Sequence, residues 1–316
     1  MAQVRQAADA RHWASINEAS FVAGMRFLFW VCRVFGRWPF RVVLYPVLLW
    51  YVATQPRARR ASHRYLARVG RSDGVTGVLR HFGAFAEAIL DKMLLWGGLF
   101  DFDRVGLHGA APLLEMARRG EGALLVCAHL GNLDLCRALS LRTPGLKVTV
   151  LVHTRHAQAF NAMLARLDPR SQLNLMQVTD MGPAMAMQLA ERIARGEFVV
   201  IAGDRVPVAD NPRTVRAPFL GADAAFPVGP YVMAATLGCP MYAMFATREG
   251  NGHAVHFELL REAVTLPRRS REQALAELAS QYAARLEHHV RRAPLEWFNF
   301  YDFWHLPDTD PHDAAQ

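Results

Sequence analysis

Gly122-Ala123-Leu124-Leu125-Val126-Cys127-Ala128, followed at once by His129-Leu130-Gly131-Asn132-Leu133-Asp134, is the stretch on which the fold turns. Its seven uncharged, mostly apolar residues read as a buried strand, and the next six set a base and a carboxylate at the strand's exit. On a continuous helix, positions five apart lie roughly 140° apart and do not face a common substrate. The His129 to Asp134 spacing therefore suits a turn entering a helix. Gly131 and Asn132 tolerate that turn, and Asn132 is placed to cap a helix beginning near Leu133. The carboxyl end of a strand is where α/β folds place their sites, and a histidine oriented by a carboxylate takes a proton from a hydroxyl near neutral pH. The same histidine also fits a plain structural hydrogen-bonding group.

Working outward, apolar runs and helical patterns alternate: strand 102–107, helix 110–119, strand 122–128, helix 133–141, strand 147–152, helix 156–166, strand 173–178, helix 183–195 and strand 198–202. This βα alternation predicts an α/β fold, a mostly parallel central sheet flanked by helices. The stretch 204–228 holds four prolines and reads as a long functional or mobile loop. A short helix near 229–238, strands near 240–248 and 253–260, and a charged helix over 270–292 follow. The chain then runs into the aromatic cluster Trp297-Phe298-Asn299-Phe300-Tyr301-Asp302-Phe303-Trp304, either core lining or a lipid-facing wall.

Upstream, Val75, Val78, Leu79, Phe82, Phe85, Ile89, Met93 and Trp96 repeat at helical spacing and predict one amphipathic helix over 74–96. The +8 formal charge is uneven: residues 1–71 carry twelve Arg against Asp9 and Glu18, a local +10 that leaves −2 for the rest. Residues 21–53 are apolar but interrupted by Arg26, Arg33, Arg37 and Arg41. Their longest clean run, 42–53, spans about 18 Å as a helix against a hydrocarbon core of about 30 Å. Arg26, Arg33 and Arg37 fall on one helical stripe, opposite Phe27, Trp30, Val31, Val34 and Trp38, an interfacial pattern. Pro39 opens a second helix and Pro46 bends it. Arg57, Arg59, Arg60, Arg64 and Arg68 follow, suited to an anionic membrane surface. A buried helical hairpin with a solvated basic face, or one tilted span with snorkelling arginines, fits the same residues. Two regions are expected: a basic, apolar membrane-associating segment at 1–72 and an α/β domain at 73–316.

With 52% hydrophobic and 20% charged residues the chain is globular or membrane-associated. Cys32, Cys127, Cys136 and Cys239 show neither a metal spacing nor a secreted disulfide framework. The polar first twenty residues argue against a cleaved signal peptide. No aromatic ribonucleoprotein motif, zinc finger or helix-turn-helix accompanies the basic segment, so no nucleic-acid partner is expected. His153 with His156, and His288 with His289, do not complete a ligand set, so no metal is expected. A Walker A motif and a GxGxxG are both missing from the sequence.

The block His129-Leu130-Gly131-Asn132-Leu133-Asp134 resembles the HxGNxE/D block of the late acyltransferases of lipid A biosynthesis, within the HxxxxD/E glycerolipid and lysophospholipid acyltransferase superfamily. Leu151-Val152-His153-Thr154-Arg155-His156 is similar to that family's strand ending in arginine. The stretch from Met181 through Arg195-Gly196-Glu197 to Gly203-Asp204 is similar to its helix, Arg-x-Gly turn and strand ending in Asp-Gln. Ala217-Pro218-Phe219-Leu220-Gly221, Phe226-Pro227-Val228-Gly229-Pro230 and Leu237-Gly238-Cys239-Pro240 resemble its acyl-pocket segment and late proline block. The likeness spans roughly 20–305. The sequence departs from the family in having Asp134 where Glu is usual, Arg205 where Gln is frequent, and a more interrupted apolar segment.

The resemblance implies direct acyl transfer without an acyl-enzyme. His129 deprotonates an acceptor hydroxyl, and Asp134 fixes the imidazole. Asn132, Arg155, Asp204, Arg205, Phe226, Pro227 and Gly229 form the substrate site, with Arg155 and Arg205 suited to a phosphate. The donor is an acyl thioester of acyl carrier protein or coenzyme A, and no cofactor is implied. The acceptor is a lipid or glycolipid, lipid A-like and hence a lipopolysaccharide precursor, at the cytoplasmic face of a bacterial inner membrane. Lysophospholipid, ornithine-lipid and pigment or polyene-lipid acceptors stay open, as does a non-catalytic membrane lipid-binding protein.

Overall fold

The computed structural model describes residues 27, 29–71, 73–143, 145–152, 158–172, 174–177, 182–206 and 212–304. The elements in chain order are α1 (29–35), α2 (Trp38–Thr54), α3 (Pro56–Arg68), α4 (Gly74–Trp96), β1 (Val105–His108), α5 (Ala111–Arg118), β2 (Leu124–Gly131), α6 (Asp134–Arg142), β3 (Lys147–Val152) and α7 (Gln158–Leu167). There follow β4 (Leu175–Gln177), α8 (Pro183–Ala194), β5 (Glu197–Ala202), β6 (Thr214–Phe219), β7 (Ala222–Pro227), α9 (Gly229–Leu237), β8 (Met241–Glu249), β9 (Gly252–Arg261) and α10 (Arg271–Arg292).

Seven strands form one sheet in the order β1-β9-β8-β2-β5-β3-β4. All neighbours are parallel except the β8–β9 hairpin, which turns β9 and its parallel partner β1 against the rest. The expected α/β architecture is therefore the one formed. β2 sits centrally between β8 and β5, and its side chains serve two cores. Leu124, Val126, Ala128 and Leu130 join the core with α8, α9, α10 and the C-terminal aromatics, whereas Ala123, Leu125 and Cys127 join the one with α5, α6 and α7. Burial on both faces explains why this strand reads as an uninterrupted apolar run.

The stretch 204–228, expected as one long loop, contains a two-stranded hairpin instead. β6 and β7 pair antiparallel from Thr214 opposite Pro227 to Phe219 opposite Ala222. The two residues joining them, Leu220 (φ 50°) and Gly221 (φ 78°), are both left-handed, as a tight hairpin turn requires. Pro218 and Pro227, two of the prolines that suggested a loop, lie in these strands, which have a single neighbour each and so leave an outer edge where a missing N–H is tolerated. Ala217, Phe219, Ala224 and Phe226 bury the inner face of this hairpin.

Upstream, Pro39 lies at the start of α2 and Pro46 inside it, as expected. Phe40, Leu48 and Val52, with the half-buried Leu44, form the inward stripe of α2. Trp38, Val42, Val43, Tyr45, Val47, Leu49 and Trp50 are exposed. Leu48, Val52, Tyr65 and Leu66 of α2 and α3 enter the same core as β2. Arg37 of the basic stripe, and Arg41 beyond it, are paired with carboxylates of α4. Arg37 Nη1 lies 2.5 Å from Asp91 Oδ1, and Arg41 Nε lies 2.6 Å from Glu87 Oε1. Asp91, buried in α4, also pairs with Arg248 of β8 and with His253 Nε2 at 3.3 Å. These charges pin the N-terminal helices to the sheet. None of the described helices is long and apolar enough to cross a membrane.

Candidate active site

β2 ends in an irregularity that frees His129 from the ladder. Its register with β8 shifts between Cys127 and Gly131, and the C-terminal segment closes over the gap. Gly131 N–H donates to Glu296 O at 2.9 Å, and Phe298 N–H donates to His129 O at 2.8 Å. Gly131 has φ 66°, and a Cβ there would stand 1.7 Å from the Ala246 carbonyl oxygen, so only glycine fits. The helix begins as anticipated but one residue later, with Asp134 as its first residue. Asn132 Oδ1 accepts from Asp134 N–H at 3.2 Å, while its buried Nδ2 has no hydrogen-bond partner.

The carboxylate on the His129 ring is Asp204, not Asp134. Asp204 follows β5, the neighbour of β2, and one oxygen accepts from His129 Nδ1 at 2.8 Å. The other accepts from His129 N–H at 2.8 Å and from Trp297 Nε1 at 3.0 Å. Gly203 permits this approach: a Cβ on it would fall 2.5 Å from Val126 Cγ1 and 3.0 Å from the Tyr282 ring. Asp204 is 2% exposed. Burial pushes its carboxyl up, but the His129 imidazole, the hydrogen bonds from it and Arg205 outweigh that and hold it below the usual value. Asp204 is thus an anion whose three partners all donate. With Nδ1 carrying the proton toward Asp204, Nε2 is left as the acceptor nitrogen of a ring whose side chain is 31% exposed.

Asp134 is taken by other partners. Its carboxylate meets Lys92 Nζ of α4 at 2.5 Å and Arg137 at 3.3 Å. Burial raises its carboxyl, and these two cations reverse the shift to a net lowering. The expected bond from Asp134 to the imidazole is therefore replaced by one from α6 to α4. Two cations satisfy this carboxylate more fully than one neutral ring.

Of the other expected site residues, Arg205 donates from Nη2 to Phe298 O at 2.9 Å and so braces the segment that holds His129. Phe226 is fully buried among the rings of Phe219, Tyr282 and Phe303, so it is part of the core behind β2. Pro227 is buried at the end of β7, and Gly229 opens α9. Arg155, with His153 and His156, lies outside the described residues. Sequence reasoning missed Lys92 and Trp297 as members of the site. Lys92 gave a faint signal as one of the charges Glu87, Asp91 and Lys92 set in the apolar second half of α4, and Trp297 none beyond its aromatic neighbours.

Cys127, two residues before the histidine, and Cys136 of α6 are buried and not poised as nucleophiles. Burial pushes both thiols up, Cys136 to about 12 and Cys127 further, with Asp204 and Cys136 adding to the effect at Cys127. The site therefore offers a base with its orienting anion and no activated thiolate at Cys127 or Cys136.

No curated protein matches the sequence. The model of the family described as bacterial lipid A biosynthesis acyltransferase matches residues 102–305, from just before β1 through the aromatic segment that closes on His129. The matched stretch is well over half of the chain and contains both His129 and Asp204, and on that ground the protein belongs to the bacterial lipid A biosynthesis acyltransferase family.

Proposed function

We propose that the protein transfers a fatty acyl chain from a thioester of acyl carrier protein or coenzyme A to a hydroxyl of a lipid A-type acceptor, at the cytoplasmic face of the bacterial inner membrane. The observation that carries this reading is the His129–Asp204 pair at the end of β2. His129 Nε2 takes the acceptor hydroxyl proton as that oxygen attacks the thioester carbonyl. The resulting imidazolium faces a buried carboxylate. Collapse of the tetrahedral intermediate expels the thiolate, which recovers the proton from His129, leaving an ester and a free thiol. The raised Cys127 and Cys136 thiols support transfer without an acyl-enzyme.

Membrane attachment is supported by α2. Seven of its large apolar side chains, including Trp38 at 66% and Trp50 at 68% exposure, form a surface that water does not favour. Exposed Arg57, Arg60 and Arg64 on α3 lie next in the chain and suit anionic headgroups or an acidic carrier protein. Through Lys92 and Asp134, α4 connects that helical surface to the site. Asn132, Arg155 and Arg205 are assigned to substrate binding in this scheme, as are Pro227 and Gly229.

The test is mass spectrometry of total membrane lipids from cells lacking the protein, complemented by wild type or by His129→Ala. A lipid that lacks one acyl group and is restored by wild type alone is the expected result, and it identifies the acceptor. Equal lipid profiles with both complements would overturn the mechanism and favour a lipid-binding protein without turnover.

A further inference from the structure

Away from His129, the β1 edge of the sheet gathers chemistry that acyl transfer does not use. β1 and β9 pair so that His108 stands directly beside His256. Their rings lie face to face, 4.6 Å between centroids and 12° from parallel. Glu249, the last residue of β8, reaches the same spot, with Oε1 3.0 Å from His256 Nε2. One ligand atom from each of the three lies within 4.8 Å of the others. His108 and the Glu249 side chain are exposed, while His256 is half-buried.

We propose that His108, Glu249 and His256 bind one divalent d-block cation of the zinc class. Two imidazole nitrogens and one carboxylate oxygen are the donor set such ions prefer, and calcium or magnesium would ask for oxygens throughout. The present spread of ligand atoms is wider than the separation of about 3.4 Å around an ion with bonds of about 2.1 Å. Side-chain rotation closes it, because two of the three side chains face solvent. Solvent then supplies the remaining position. Gly106 lies under the His108 ring. A Cβ at Gly106, two residues before His108 on the same face, would come within 3.1 Å of His108 Nε2. One group competes: Arg292 Nη2 lies 3.6 Å from Glu249 Oε1, but its side chain is 59% exposed and free to swing outward.

The ligands come from three different strands, so the ion ties the short outer strand β1 to the β8–β9 hairpin. β1 has only four residues, and the exposed Leu107 contributes no core burial. An edge strand that short gains little from its own packing, which is where a metal clip has the most to add.

The experiment uses the purified full chain, stripped with chelator and titrated with zinc by calorimetry, with cobalt as a spectroscopic probe. Expected are one saturable equivalent, a rise in Tm with zinc, and intense visible cobalt bands of a four-coordinate site. His108→Ala and Glu249→Gln, both at exposed positions that leave the core intact, should each weaken binding about tenfold or more. Arg292→Ala should strengthen it, and His288→Ala, whose ring neighbours His289 and not the triad, should leave it unchanged. No saturable binding by wild type, or affinities in His108→Ala and Glu249→Gln equal to wild type, would overturn the proposal. Neither readout depends on acyl transfer.

Discussion

Asp204→Asn separates the two carboxylates near His129 by their chemistry. In the native protein, Asp204 Oδ2 faces two donors that cannot change, His129 N–H and Trp297 Nε1–H, whereas Oδ1 faces the ring nitrogen, which can. An asparagine has one oxygen and one amino group to offer these partners. Its oxygen goes to the two fixed donors, since the reverse placement would set an amino group against both inside a buried site, at a cost of about 1–3 kcal/mol for each unsatisfied group. The amino group then points at Nδ1, which must become an acceptor. The ring proton moves to Nε2, the nitrogen that has to receive the acceptor's proton. Loss of the buried anion also removes a charge-assisted bond to the imidazolium, worth about 1.5–3 kcal/mol, or roughly 10- to 150-fold in rate. Together with the wrong tautomer, the expected loss is about 10³- to 10⁴-fold with little change in fold. Single-turnover transfer, followed by thiol release from an acyl thioester, measures the rate. ¹⁵N spectra of the His129 ring read the tautomer. A rate within threefold of wild type, or a ring still protonated at Nδ1, would refute the reasoning.

Asp134→Asn should behave differently: Lys92 and Arg137 lose their shared anion, so Tm falls while the ¹⁵N signature of the His129 ring stays native. Asp91→Asn strips Arg37, Arg248 and His253 of a common partner. It should cost about 3 kcal/mol by denaturant titration and speed proteolysis of the N-terminal helices, and an unchanged midpoint would count against the charge pinning. His81, held between Ser62 Oγ at 2.8 Å and Trp297 O at 2.9 Å, is lowered by burial to about 4. The unfolded chain binds that proton from about pH 6.5 downward, so the contribution, about 3 kcal/mol, is full above pH 6.5 and lost as pH falls to 4. Urea midpoints across that range should show the slope, and His81→Gln should flatten it. Arg57→Ser with Arg60→Ser should weaken binding to anionic vesicles more at low salt than at high salt. Binding unchanged at every ionic strength would leave the apolar face of α2 as the only anchor.

The sequence by itself determined what depends on neighbours a few residues apart. The βα alternation, the span of α4 and the proline positions in α2 follow from periodicity and backbone restriction, and the structure reproduces them within a few residues. It also located His129, since Gly131 and Asn132 spell a turn at a buried strand's end. Even the left-handed Leu220-Gly221 turn was spelled locally, but four prolines masked the strands beside it. The tertiary structure decided which charges meet. Asp204 lies 75 positions beyond His129 and reaches it because β2 and β5 are adjacent in the sheet, an adjacency no local pattern encodes. Asp134, five positions away, was the nearer candidate in sequence, but α4 brings Lys92 against it. Arg37 and Arg41 read only as interruptions of an apolar segment until packing set Glu87 and Asp91 opposite them, and His108, Glu249 and His256 were three unremarked residues until strand order aligned them. Local geometry costs little to specify, whereas carboxylate, imidazole and guanidinium partners are selected by burial and proximity, which exist only once the chain has crossed itself.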